Sequence, residues 1–402
     1  MWSRPFGIYL GGLSADLLGD SLWFVGLTWA VASTTSPASA SLILAAATIP
    51  RVLLMLPAGS LVDRVGAMKV AQGAQLLRTA TMAVLVLALV GGIPLPALVV
   101  ASMVFGAADA LRMPASGSLL PSLLQAKDLP AGQGVVSTIY RVATVLAAPA
   151  AGALLAWRGL QAVVIVNVLL FGSALAAYAL LARRGVGAVA SDDEPAAGVR
   201  AGLAYVRTRP AILTMLVVVS LINLAVAGPL ELGLALRSRQ QDWGAGGLGV
   251  LFGAFSLGAT VGALSLSRWR PKNPARAGYL CSAVAGVALV PLAIAPGLAM
   301  AATAVALCGL GFGPAGGLLL GGIQAATQPA HMGRVMSLIT LSSIGTAPIG
   351  LLLFGALIGL VSVAAAMAVS GAVIVGAALI AATSSHTVAA FEPEGNSSLR
   401  SD

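Results

Sequence analysis

The chain has 402 residues, of which 58% are hydrophobic and 9% charged, and its net charge is +9. A soluble domain needs far more polar surface than that, so the ordinary globular classes are excluded. Both cysteines, Cys281 and Cys308, fall in apolar tracts, where buried free thiols are expected rather than a structural disulfide.

Apolar runs between turn signals predict twelve helices, at 5–33, 38–62, 68–91, 94–121, 133–157, 160–183, 209–235, 244–268, 275–296, 298–325, 334–359 and 361–384. About 20 apolar residues cross the hydrocarbon core as a helix, and only helices or closed barrels satisfy their backbones there. The runs lack the period-2 alternation of barrel strands. The fold class is therefore an all-α polytopic membrane protein. The first run is too long for a signal-peptide core, and Met1-Trp2-Ser3-Arg4 is a meagre basic region, so a retained first helix is expected. The one sizeable polar segment, Arg183–Pro210, carries Ser191-Asp192-Asp193-Glu194-Pro195 at its middle. It divides the chain into a bundle at 1–183, a linker at 184–208, a second bundle at 209–384 and a tail at 385–402.

The 22 basic residues are unevenly placed. With the N-terminus inside, Arg4, Arg64, Lys69, Lys127, the Arg183–Arg209 group, the Arg268–Arg276 group and Arg334 fall on the cytoplasmic side. Only Arg158, Arg237 and Arg239 fall opposite. That asymmetry follows the positive-inside rule, so the basic balance reports topology, with both termini cytoplasmic, and not nucleic-acid binding. The halves also echo each other: Pro114-Ala115-Ser116-Gly117 returns as Pro314-Ala315-Gly316-Gly317, and Val136-Ser137 as Met336-Ser337, at an offset of half the chain. A duplicated six-helix unit is expected, in the manner of parallel transporter repeats.

Between the second and third predicted helices stands Gly59-Ser60-Leu61-Val62-Asp63-Arg64-Val65-Gly66. A turn that short must reverse the chain at the bilayer surface. Gly59 and Gly66 permit close approach and unusual dihedrals, and Asp63 and Arg64 place charges at helix ends. The segment resembles the signature loop of the major facilitator superfamily, except that Ala67 and Met68 stand where basic residues usually follow. Leu18-Gly19-Asp20, Ile49-Pro50-Arg51, Pro114-Ala115, Leu120-Pro121-Ser122-Leu123, Gly333-Arg334-Val335 and Pro348-Ile349-Gly350 resemble the macrolide-efflux, drug:proton antiporter branch. Ala147-Ala148-Pro149-Ala150-Ala151-Gly152 is an alanine-substituted form of its glycine-proline motif. The resemblance spans essentially the whole chain. It implies two pseudo-symmetric six-helix bundles, alternating access, and proton-driven export of drug-like or natural-product-like molecules across the cytoplasmic membrane. It also implies a conformational gate of Gly59, Asp63, Arg64 and Gly66 with Arg334, in which the Asp63 carboxylate meets a helix N-terminus.

Charges inside membrane helices cost about 2.5–3.5 kcal/mol each at mid-span and persist where paired, hydrated or useful. Asp16 and Asp20 share one face of the first helix. Arg51 lies at a depth similar to Asp16, so an Asp16–Arg51 pair is one reading. Two nearby carboxylates in a low-dielectric cavity cannot easily both ionise, and an acid poised near neutrality is what proton coupling requires; Asp20, Asp16 and Arg51 are its candidates. Asp109, Arg112 and Arg141 form a second group, acting as a latch with the signature-loop charges or as an anion site. Their repeat counterparts, Gly309, Phe312 and Leu341, are uncharged. Arg78 follows closely on Lys69, and its long stem is expected to snorkel to the interface. Glu231, Asn223 and Gln324 are candidate substrate contacts. His331 and His386 have no metal-ligand spacing, and no nucleotide-binding loop or nucleophile–base pair appears. Neither an enzyme nor a metal or cofactor is expected. The expected partners are an amphiphilic small molecule, protons and membrane lipid, with the protein a monomer. A lysophospholipid flippase or importer of the same fold, or a membrane sensor that does not transport, are the rival readings.

Overall fold

The computed structural model describes residues 3–92, 95–186, 204–269, 271–328 and 331–383, all helices and short turns. Four helices open the chain: α1 Arg4–Thr34, α2 Pro37–Val65, α3 Ala67–Ala88 and α4 Leu95–Leu123. The next stretch, Leu129–Arg183, would reach about 80 Å if straight, far more than a bilayer core. It breaks at Arg158 and Gly159, where Gly159 takes φ 64°, giving α5 (129–157) and α6 (160–183). Then come α7 Pro210–Ala227, a π-helical turn Gly228–Gly233, and α8 Leu234–Gln240. Last are α9 Gly244–Ser265, α10 Pro274–Ile294, α11 Leu298–Ala326, α12 Met332–Leu360 and α13 Val363–Thr383.

Ten of these elements are long and apolar enough to cross a membrane, with Leu129–Arg183 counted as one. Large apolar side chains such as Leu53, Val84, Leu87, Leu169 and Ile380 project outward, which a lipid solvent explains and water does not. The protein is a multi-pass membrane protein.

Two boundaries depart from the sequence reading. The helix expected at 209–235 stops at Ala227 and passes through the π turn. Pro229 has no N–H to give to the ladder, and the Phe354 ring seats directly against Gly228, where a Cβ would overlap it. The expected turn from Gly59 to Gly66 is mostly helix. α2 runs on to Val65, Gly59 lies within it with open space beside it, and Gly66 alone reverses the chain at φ 94°.

The chain forms two compact units. The first, Met1–Asp193 with Leu234–Gly253, takes in a stretch that the sequence division assigns to the second half. Two contacts account for it. Gly152 of α5 and Gly249 of α9 meet so closely that a Cβ on either would press the other's backbone within 3.0 Å. Arg239 of α8 donates to the Ala32 carbonyl at 2.8 Å. Within this unit α1 packs antiparallel on α6 along Gly12, Gly19 and Gly26, facing Ala177, Phe171 and Val163. Small residues are what let membrane helices approach this closely.

The second unit is Glu194–Gly233 with Ala254–Asp402. Gly258 and Gly262 of α9 lie on the backbone of Ala306 and Leu310 in α11, and Gly309 and Gly313 of α11 return the contact on Phe255 and Ala259. Two facing Gly-x3-Gly pairs thus lock α9 to α11. α10 meets α13 at Gly286 and Gly371 in the same way.

Candidate functional site

The charged residues of the first unit converge on one buried network. α3 carries Gln75 and Arg78 on the same stripe as Ala71, Ala74, Met82 and Leu85, all buried, and that spacing turns Arg78 inward. Its guanidinium lies 4.3 Å from the Phe105 ring centre and 4.2 Å from that of Phe171, between α4 and α6. Arg78 Nη1 donates to Asp16 Oδ1 at 2.5 Å and to Gln75 Oε1 at 3.3 Å, and Nη2 pairs with Asp20. On the other side, Arg112 of α4 pairs with Asp16 Oδ2 at 2.7 Å and donates to Asp20 Oδ2 at 3.1 Å. It also donates to Asp109 Oδ1 through Nη2 at 2.7 Å and Nε at 3.2 Å. Asp109 Oδ2 completes the chain with Arg51 Nη2 at 3.1 Å.

Glycine positions these partners. A Cβ at Gly106 would overlap the Ala47 carbonyl, so α4 lies on α2 one turn from the Asp109–Arg51 pair. Gly19, between the two α1 carboxylates, makes room for Phe171, which in turn supports Arg78. Three carboxylates and three guanidiniums therefore balance in the low-dielectric interior. Exposure is graded: the Asp16 and Arg78 side chains are 0% exposed, Asp20 25% and Arg51 36%.

Several sequence expectations change here. Arg78 does not snorkel; with Asp16 it is the most enclosed charge of the network. Arg51 reaches Asp109, not Asp16, because Arg78 and Arg112 already hold Asp16. Two guanidiniums between Asp16 and Asp20 also remove the reason for expecting those carboxylates to repel each other. Arg141 is exposed and has no ion pair among the described residues, so it does not join Asp109 and Arg112. Asp109 turns to Arg51 and Arg112 and not to the signature loop. The side chains of Asp63 and Arg334, on which the expected gate depends, lie outside the described residues. Arg64 is exposed in the last turn of α2, where its charge suits the helix C-terminus.

The second unit holds a cavity of about 390 Å³, bounded by α7, α9, α10, α11 and α12. Its walls are nearly all apolar, with Asn223, Ser282 and Ser343 the polar members. Asn223 Nδ2 donates to Ser343 Oγ at 3.3 Å. Of the other two expected contacts, Glu231 is half-buried on the π turn next to Leu230, a wall residue, and Gln324 is exposed with Nε2 3.7 Å from Met336 Sδ. Sequence reasoning misplaced Arg78 and missed Phe105, Phe171 and Ser343. For Arg78 the signal was present in the stripe it shares with Gln75; for the others nothing local distinguishes them from packing residues.

The model of the Major Facilitator Superfamily matches residues 8–348. The chain belongs to the major facilitator superfamily. Among curated proteins it is similar to the multidrug efflux pump Tap of Mycolicibacterium fortuitum, at 26% identity over 84% of this chain and 85% of that one. Solved structures share the fold. The POT family transporter PepTSo superposes with a TM-score of 0.77 at 12% identity, over 97% of this chain and 99% of that one. A bacterial homologue of the iron transporter ferroportin gives 0.74 at 17% identity, over 98% and 100%. The superfamily fold and the efflux-pump relative make the protein a membrane transporter of the facilitator type and not an enzyme, as the signature-loop and efflux-branch motifs imply.

Proposed function

We propose that this transporter exports amphiphilic small molecules across the cytoplasmic membrane by alternating access, in exchange for protons carried by Asp20. The observation that carries the proton assignment is the exposure gradient of the buried network. Asp16 is sealed between two guanidiniums, and adding a proton to it would leave the fully enclosed Arg78 with only the part-exposed Asp20 as counter-charge. Asp20 contacts the same two arginines but keeps a quarter of its side chain accessible. A proton arriving there would loosen Arg78 and Arg112 from α1, and a two-state helix packing could respond to that loss. The amphiphile assignment is supported by the apolar cavity and by similarity to a multidrug efflux pump.

The test is uptake of an uncharged fluorescent amphiphile such as Nile red into inverted membrane vesicles carrying the native chain. Accumulation against the gradient that collapses on adding a protonophore is the expected result. Accumulation indifferent to the protonophore would overturn antiport, and movement only in the inward direction of intact cells would overturn export.

A further inference from the structure

The cavity of the second unit offers more than apolar bulk. Twelve of its fifteen lining residues are apolar, among them Phe255, Phe312 and Leu319, but Asn223 and Ser343 carry hydrogen-bonding capacity that no partner among the described residues takes up. Ser282 is spent, since its hydroxyl donates back to the Gly278 carbonyl at 3.0 Å. On α12, Ser342 and Thr346 likewise turn their hydroxyls onto the carbonyls of Ile339 and Ser342, at 3.0 and 2.7 Å. Ser343, between them, makes no such bond among the described residues. Its Oγ accepts from Asn223 Nδ2, so its own proton stays uncommitted. The Asn223 carbonyl oxygen has no partner among the described residues either. One acceptor and one donor therefore stand side by side on a wall that holds no charged residue.

We infer that this cavity recognises an uncharged amphiphile, whose polar end presents a neighbouring donor and acceptor as a carboxamide does. Asn223 Oδ1 accepts from the ligand N–H, and the Ser343 hydroxyl donates to the ligand carbonyl. The cavity size falls within the roughly 300–1,000 Å³ of small-molecule sites. An ion would be carried out of water with nothing to pair it, and that penalty selects against charged analogues. Asn223 and Ser343 are thus specificity-determining residues. The inference rests on the export reading, because it names the chemistry of the exported molecule.

The experiment is calorimetric binding of three probes with the same tail to the purified full chain in detergent: dodecanamide, dodecyltrimethylammonium and dodecanoate. The native protein is expected to bind the amide at least about tenfold more tightly than either ion. Ser343→Ala and Asn223→Leu each weaken the amide by about three- to tenfold, the size of one net hydrogen bond, and move the ions by less than twofold. Ser343→Thr, which keeps a hydroxyl, restores the amide affinity. Equal affinity for amide and ions, or an equal loss of all three probes in both variants, would overturn the inference. Export is scored separately as dodecanamide uptake into energised inverted vesicles. Amide that is bound selectively but never moved would overturn the export reading and leave the recognition standing.

Discussion

Replacing Arg78 by methionine is the sharpest perturbation of the buried network. The side chain is fully enclosed, pairs with two carboxylates on α1, and is sandwiched by two aromatic rings. Breaking a buried pair by removing one partner costs about 3–5 kcal/mol, because the other charge stays buried. Loss of the stacked cation adds up to about 2 kcal/mol, and methionine sulfur against the same rings returns about 0.3–1.5 kcal/mol. Arg78→Met should therefore destabilise the protein by about 4 kcal/mol. The double substitution Arg78→Met with Asp16→Leu removes one charge of each sign from an apolar frame, and such exchanges are often neutral or better. It should fall within about 2 kcal/mol of the native chain, far less than the two single effects added. The assay is equilibrium unfolding in mixed dodecyl maltoside and SDS micelles, followed by tryptophan fluorescence. An Arg78→Met protein within about 0.5 kcal/mol of native, as expected for a side chain snorkelling to the interface, would refute the reasoning. So would a double substitution whose effect is additive.

Three further outcomes follow from neighbouring geometry, read by the same unfolding assay. Arg51→Ala should cost no more than about 1 kcal/mol, because the pair is at the exposed end and Asp109 keeps Arg112. Gly106→Val should cost about 1–3 kcal/mol by pushing α4 off the Ala47 carbonyl, whereas Gly117→Val on the same helix, with open space around it, should cost less than about 1 kcal/mol. Asn167 is fully buried on the α6 stripe and neither its Nδ2 nor its Oδ1 has a hydrogen-bond partner among the described residues. Asn167→Leu should consequently stabilise the protein by about 1 kcal/mol; a loss of that size would show that the amide is engaged.

Helix positions were readable because a membrane span is set by length and hydropathy, and the Arg158–Gly159 break fell where the polar residue and the glycine interrupt the run. The π turn was not readable. It arises from Phe354, far along the chain, seating against Gly228, and no local feature of Gly-Pro-Leu-Glu-Leu-Gly announces that ring. At the charged network the right residues stood out, since Asp16, Asp20, Asp109, Arg112 and Arg51 are expensive in a membrane and drew attention on that ground. Their pairing did not follow from depth alone. Depth counts place Asp16 beside Arg51, but rotation about each helix axis decides partners, and that is fixed by the glycine contacts of α1 with α6 and of α4 with α2. Arg78 was misjudged for the same reason: distance from the interface was weighed and helix face was not.

The central claim, that Asp20 exchanges its proton against substrate, is tested most directly by proton release from the purified protein. Weakly buffered protein with a pH dye is mixed with an uncharged amphiphile, dodecanamide, for the native chain, Asp20→Asn and Asp16→Asn. The account predicts release from the native chain, its abolition in Asp20→Asn, and its persistence in Asp16→Asn wherever that variant still folds and binds. Binding without release in the native chain, or release undiminished in Asp20→Asn, would contradict it.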